Sequence, residues 1–172
     1  MNKVLGIVMG LSLATALPAA AEPANLLGVF GNWTAYSAGS GSSLTCFALS
    51  KPRATRPATA KRSPIYLMVS DWPARKVKGE VQIVYGYLGN EKGAAALGVG
   101  GDKFNFFIRN SGKEGSAWLQ QLGDNEKLIT SMQEHVSVVA SGVSARGTKP
   151  SDTYSLSGVK DALDKAHAAC PM

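Results

Sequence analysis

SARGTKPSDTYSLSGVKDALDKAHAAC, Ser144 to Cys170, is the stretch whose reading decides the fold. Asp152–Leu156 has the short alternating pattern of a strand. From Ser157 to Ala169 the period changes, and Val159, Leu163, Ala166 and Cys170 return at helical spacing on one face. Ser157 is the expected N-cap and Pro171 the stop. Lys160–Asp164 and Asp161–Lys165 are (i, i+4) pairs, and the acid-first second pair has the better orientation. The helix therefore carries one of only two cysteines on the face it buries, where a strand cysteine can meet it.

Whether that cysteine is oxidised depends on compartment, and the N-terminus reads as an address. Met1-Asn2-Lys3 is a short basic segment, Val4 to Leu17 is apolar, and Ala19-Ala20-Ala21 supplies the A-x-A pattern of signal peptidase. Residues 1–21 are thus expected to be a cleaved signal peptide. The apolar run is too short for the roughly 20 residues that cross a bilayer. No cysteine follows the cleavage site, against a lipoprotein anchor, and no later segment is apolar enough to span a membrane. The expected product, residues 22–172, is a single soluble domain in the periplasm or secreted. In that setting Cys46 and Cys170 most simply form one disulfide. Closing so long a loop stabilises by about 4–5 kcal/mol in the chain-entropy account.

Between the ends, short alternating runs are separated by Gly, Pro, Ser and Asn. Phe30–Ser37 and Ser43–Ser50, joined by AGSGS, predict a hairpin. Ile65–Ser70 is a continuous apolar run, expected to be covered on both faces. Glu80–Tyr87, Lys103–Arg109, Ser116–Gln120, His135–Val143 and Asp152–Leu156 complete the strand set. Gly98–Gly101 reads as a hairpin turn. Asp124–Glu134 is the other helix, with Leu128, Ile129 and Met132 as its apolar contacts. The expected class is mainly β, an antiparallel β-sandwich or barrel-like sandwich with a C-terminal α-helix. Lys51 to Pro64, KPRATRPATAKRSP, is expected to be an exposed loop.

The residues point away from most chemistry. His135 and His167 are the only histidines, and no His, Cys, Asp or Glu cluster has ligand spacing, so no metal or cofactor is expected. There is no G-x-S-x-G, and the acids are scattered, so no catalytic residue is assigned. Charge is the remaining signal. Lys51, Arg53, Arg56, Lys61, Arg62, Arg75, Lys76 and Lys78 stand against Asp71 alone, so residues 51–79 carry +7 while the rest of the exported chain sums to −2. A concentrated positive segment steers a protein toward acidic surfaces such as lipopolysaccharide, anionic lipid or sulfated glycan. Nucleic acid is not expected, because the basic residues are not interleaved with aromatics.

FGNWTAY (Phe30–Tyr36), CFALSKP (Cys46–Pro52), ARGT (Ala145–Thr148) and DTYSLSGVKDALDKAHAAC (Asp152–Cys170) together resemble the invasion-associated locus B family. The likeness covers both ends of the exported domain and is vaguer through the middle. It implies a small exported protein with a β-sandwich-like fold and a periplasmic or envelope location, of a type found mainly in alphaproteobacteria. The family is named for a member linked to red-cell invasion and carries no agreed catalytic residues to transfer. The basic, proline-rich segment looks like an elaboration. The resulting expectation is a non-enzymatic interaction or virulence-associated factor that contacts anionic glycan, lipopolysaccharide or an envelope protein. A hydrolase-type enzyme and a purely structural periplasmic factor are the alternatives.

Overall fold

The structure is a computed structural model that describes residues 23–59 and 61–172. The expected signal peptide, residues 1–21, lies outside the described residues. In chain order the strands are β1 (Asn25–Phe30), β2 (Trp33–Ala38), β3 (Thr45–Ser50), β4 (Ala54–Arg56), β5 (Tyr66–Trp72), β6 (Val77–Val84), β7 (Ala95–Val99), β8 (Asp102–Ser111), β9 (Glu114–Leu119), β10 (Ser137–Ser141) and β11 (Ser151–Ser155). Helix α1 (Asn125–Glu134) falls between β9 and β10, and α2 (Val159–Ala169) follows β11.

The strands form one sheet in the order β1-β2-β3-β5-β6-β9-β8-β7-β10-β11-β4, antiparallel at every step, with β1 and β4 as open edges. The mainly β class with a C-terminal helix therefore holds. The sheet is not closed, but it folds over on itself. Trp33 on β2 donates its indole N–H to the Ser155 carbonyl on β11, near the opposite edge, at 2.9 Å. The inner face supplies a continuous core that includes Trp33, Leu67, Ile83, Leu97, Ile108 and Tyr154. Alternation is what builds it: Val81, Ile83 and Tyr85 point inward, as do Phe104, Phe106 and Ile108.

Both helices bury their apolar stripes in this same interior, through Leu128 and Met132 of α1 and Val159, Ala162 and Leu163 of α2. Farther along α2, Ala166 and Cys170 pack on Cys46. The two sulfurs are at disulfide-bonding distance, with Cα atoms 5.8 Å apart. Cys170 is buried, as the helical phasing requires. A second contact pins the same helix. His167 Nδ1 lies 2.5 Å from Oδ2 of the buried Asp71, whose Oδ1 accepts the Gly79 N–H at 2.8 Å.

Several local expectations need correction. Phe30–Ser37 is not one strand. Gly31 and Asn32 form a two-residue turn in which Phe30 pairs with Trp33, so the segment is the end of β1 and the start of β2. Gly31 has φ 56°, which a side chain would resist and which this hairpin turn requires. Ser157 does not cap α2, because Gly158 takes that place at φ 85°. Here the chain passes so close to Phe30 that a Cβ on Gly158 would collide with the Phe30 carbonyl. Steric access outweighs the capping preference of serine. The helix surface is held by Lys160–Asp164 at 2.6 Å, the pair with the poorer orientation.

The glycine turn at Gly100-Gly101 joins β7 to β8, and Gly98 and Val99 belong to the strand before it. Finally, β5 is fully covered on one face, and on the other only Ser70 is buried. Leu67 and Val69 are buried inward, whereas Tyr66 and Met68 on the other face are half-buried.

Candidate functional site

The basic segment does not form one surface. Within the expected loop Lys51–Pro64, residues Ala54–Arg56 pair with β11 as the edge strand β4. Lys51 and Arg53 border a shallow groove beside Tyr36 and Leu49. Arg56 sits on the edge strand, while Arg75, Lys76 and Lys78 gather at the β5–β6 turn. These residues and Lys61 are exposed.

Arg62 is the exception. Its side chain is only 5% exposed, and it grips Asp152 of β11, itself 1% exposed. Nη2 and Nη1 donate to the two carboxylate oxygens at 2.6 and 2.9 Å. A paired fork of this kind suits guanidinium and carboxylate geometry. Hydrogen bonding to Asp152 raises the Arg62 pKa above its ordinary value, against the opposing effect of burial. Arg62 is therefore a cross-link in the fold, and the expectation that it stands free for a partner is corrected. Net charge along a sequence cannot separate a solvated cation from a buried one; the signal lay in Asp152, an acid at an inward position of an alternating strand.

Around this ion pair is a tyrosine cluster. Tyr85 and Tyr87 stack at 5.2 Å, and Arg62 lies over the Tyr87 ring at 5.7 Å. Tyr85 donates its hydroxyl to the Ser141 carbonyl at 2.9 Å. The buried hydroxyls of Tyr87 and Tyr154 have no hydrogen-bond partner among the described residues. Burial pushes the pKa of all three tyrosines well above the phenolic range, and the Asp152 charge adds to the shift.

Over this cluster opens a cleft of about 520 Å³. Pro57, Lys61 and Arg62 bring the basic segment to one side, and Arg146 and Thr148 of the ARGT turn come from the other. The turn is held by Ser144, whose carbonyl accepts the Gly147 N–H at 2.9 Å and whose hydroxyl accepts the Thr148 N–H at 3.0 Å. No carboxylate lines the cleft among the described residues. Lys61 and Arg146, 85 positions apart in sequence, thus share one mouth. Arg146 was absent from the expected contact set because it lies outside the basic run; the sequence signal for it was only the ARGT motif. A cleft with two solvated cations and an apolar wall can hold an anionic group and the hydrocarbon or ring attached to it.

Acid–base chemistry has less to build on. His135 donates Nδ1–H to the Ser131 carbonyl at 2.8 Å, and His167 is engaged by Asp71. Among the described residues neither histidine is hydrogen-bonded to a hydroxyl, and no group of three or more His, Cys, Asp or Glu could hold a metal ion. No helix is long and apolar enough to cross a membrane among those residues.

No family model matches the chain, and no curated protein matches it in sequence. Among solved structures, the chain is similar to the crystal structure of invasion associated protein B from Bartonella henselae. The TM-score is 0.57 at 14% identity, over 83% of this chain and 96% of that one. At that identity the likeness is one of fold.

Proposed function

We propose that this chain is an exported, invasion-associated locus B-like envelope or periplasmic protein that binds an acidic envelope or host-surface component without catalysing a reaction. The observation that carries this reading is the convergence of Lys61 and Arg146 on one cleft, with no carboxylate in its lining among the described residues. Export is supported by the cysteine pair at disulfide distance, a bond that persists in oxidising compartments. The fold shared with invasion associated protein B agrees with that location. Lipopolysaccharide and anionic glycan are the partner chemistries that fit. Their phosphates, carboxylates or sulfates meet the cations, and Tyr87 and Pro57 cover the attached rings or chains.

The test is binding of the purified protein to lipopolysaccharide and to sulfated dextran at about 0.05 M and about 0.5 M salt, where screening lengths differ several-fold. Binding that weakens at least tenfold at the higher salt is expected. Absence of binding at low salt contradicts the reading.

A second reading, a hydrolase, has one observation in its favour. Asp71 and His167 form an acid–imidazole pair with the imidazole 24% exposed at its side chain. Labelling by a serine-reactive phosphonate that is lost in His167→Ala supports it; no labelling removes it.

A further inference from the structure

The outer face of the sheet is unlike the solvent face of an ordinary antiparallel sheet, which alternation leaves polar. Cross-strand register places Leu49 beside Met68, Met68 beside Gln82, Gln82 beside Trp118, and Trp118 beside Phe107. Five strands thus contribute one transverse row, and Thr34 and Val29 extend it to the β1 edge. Val29 is 66% exposed and Phe107 38%, while the members between are half-buried against one another. A parallel row holds Tyr36 stacked on Phe47 at 5.4 Å. Both helices are buried on the inner side, so no element of the fold covers these side chains among the described residues.

We propose that this face is a second binding site, a platform on which an acidic polysaccharide lies across the strands. Three features select that occupant. Aromatic rings (Trp118 and Phe107 stack with centroids 6.0 Å apart) offer flat faces to the C–H side of a pyranose. Gln82, Thr34 and Ser116 are interspersed among them, at positions where sugar hydroxyls need partners. A bilayer would have to strip water from these same groups without replacing their hydrogen bonds. Cations fringe the face: Arg109 lies over Phe107, Arg75 lies over Trp72, and Lys51 and Arg53 border the groove at Tyr36 and Leu49. Two carboxylates lie beside these groups: Glu80 accepts the Trp72 indole N–H at 3.1 Å, and Glu91 Oε2 comes within 3.8 Å of Arg109 Nη1 in a solvent-exposed pair. Steps of about 4.8 Å between strands give the row from Leu49 to Phe107 a length of roughly 19 Å, several sugars long. The face shares no residue with the cleft at Lys61 and Arg146, so the two sites stand or fall separately.

Oligogalacturonate, an acidic sugar chain, is the probe, with cellohexaose as its neutral counterpart and phosphatidylglycerol vesicles as the lipid arm. Nuclear magnetic resonance of the purified protein reads the Trp118 indole N–H, assigned by loss of its signal in Trp118→Phe. Oligogalacturonate is expected to shift that signal. Phe107→Ser and Tyr36→Ser, both on the face and outside the core, should each weaken binding at least threefold, and Lys61→Ser/Arg146→Ser should leave it unchanged. Each variant is first required to give the dispersed amide spectrum of the unaltered protein, so that a loss of binding is not a loss of fold. The proposal is overturned if oligogalacturonate shifts only residues of the cleft, if vesicles alone perturb the indole, or if the face responds only to protein concentration, as it would when covered by a second copy.

Discussion

The Cys46–Cys170 bond and the Arg62–Asp152 pair perform the same mechanical task in two different parts of the sheet. Each joins chain segments far apart in sequence, 124 positions in one case and 90 in the other. The first fastens α2 to β3 inside an apolar cluster with Ala166. The second fastens the basic segment to β11 beneath a cleft whose mouth carries charge. A covalent tie leaves its surroundings free to be apolar. An ionic tie buries two charges, which is favourable only while both are present and hydrogen-bonded. The covalent tie thus fixes a helix to the sheet, whereas the ionic tie also holds the segment that brings Lys61 to the cleft.

Breaking the ties should separate them. The largest effect is expected from the covalent one. In Cys46→Ser/Cys170→Ser, the unfolding free energy should fall by about 4–5 kcal/mol, the chain-entropy value for a loop of this length. Denaturant titration measures it, and a loss below about 1 kcal/mol would show that the bond adds nothing to the other α2 contacts. Next comes Asp152→Asn, which strands the Arg62 guanidinium in a buried site. It should cost about 3–5 kcal/mol. Replacing both, as Arg62→Met/Asp152→Leu, should cost much less than the single change, because no charge is left unpaired. Equal losses in the two variants would mean that packing and not charge dominates there.

A smaller effect is set by pH. The tyrosines at Tyr85, Tyr87 and Tyr154 have folded pKa values raised by burial. Their neutral forms are favoured in the fold, so this stability is fully present below the unfolded value of about 10 and is lost as pH rises above it. Thermal midpoints should be level to about pH 9.5 and then fall, and Tyr154→Phe should blunt the fall while being neutral or stabilising at pH 7. An identical alkaline decline in that variant would place the cause elsewhere, for example in the surface lysines.

The two regions also differ in how far they could be read from residues. Phasing of Val159, Leu163, Ala166 and Cys170 located the bolt because burial follows helical period. Strands with strict alternation, such as Lys103–Arg109, were equally legible. Where local geometry competed with pattern, the reading failed: a Gly-Asn turn splits Phe30–Ser37, and a close approach to Phe30 puts Gly158 in the cap. The cleft was half legible. The basic run was visible, but which cation is buried depends on Asp152, and which distant cation joins it depends on the ARGT turn. Both are tertiary facts that charge counting does not contain.

The exposed cations of the cleft, and not the buried Arg62, are expected to hold the acidic partner. The direct measurement is the Kd for lipopolysaccharide of the unaltered protein and of Lys61→Ser/Arg146→Ser at low salt. At least tenfold weaker binding is expected in the double variant, with the unfolding free energy changed by no more than about 0.5 kcal/mol for each surface substitution. Unchanged affinity in a folded variant would contradict it.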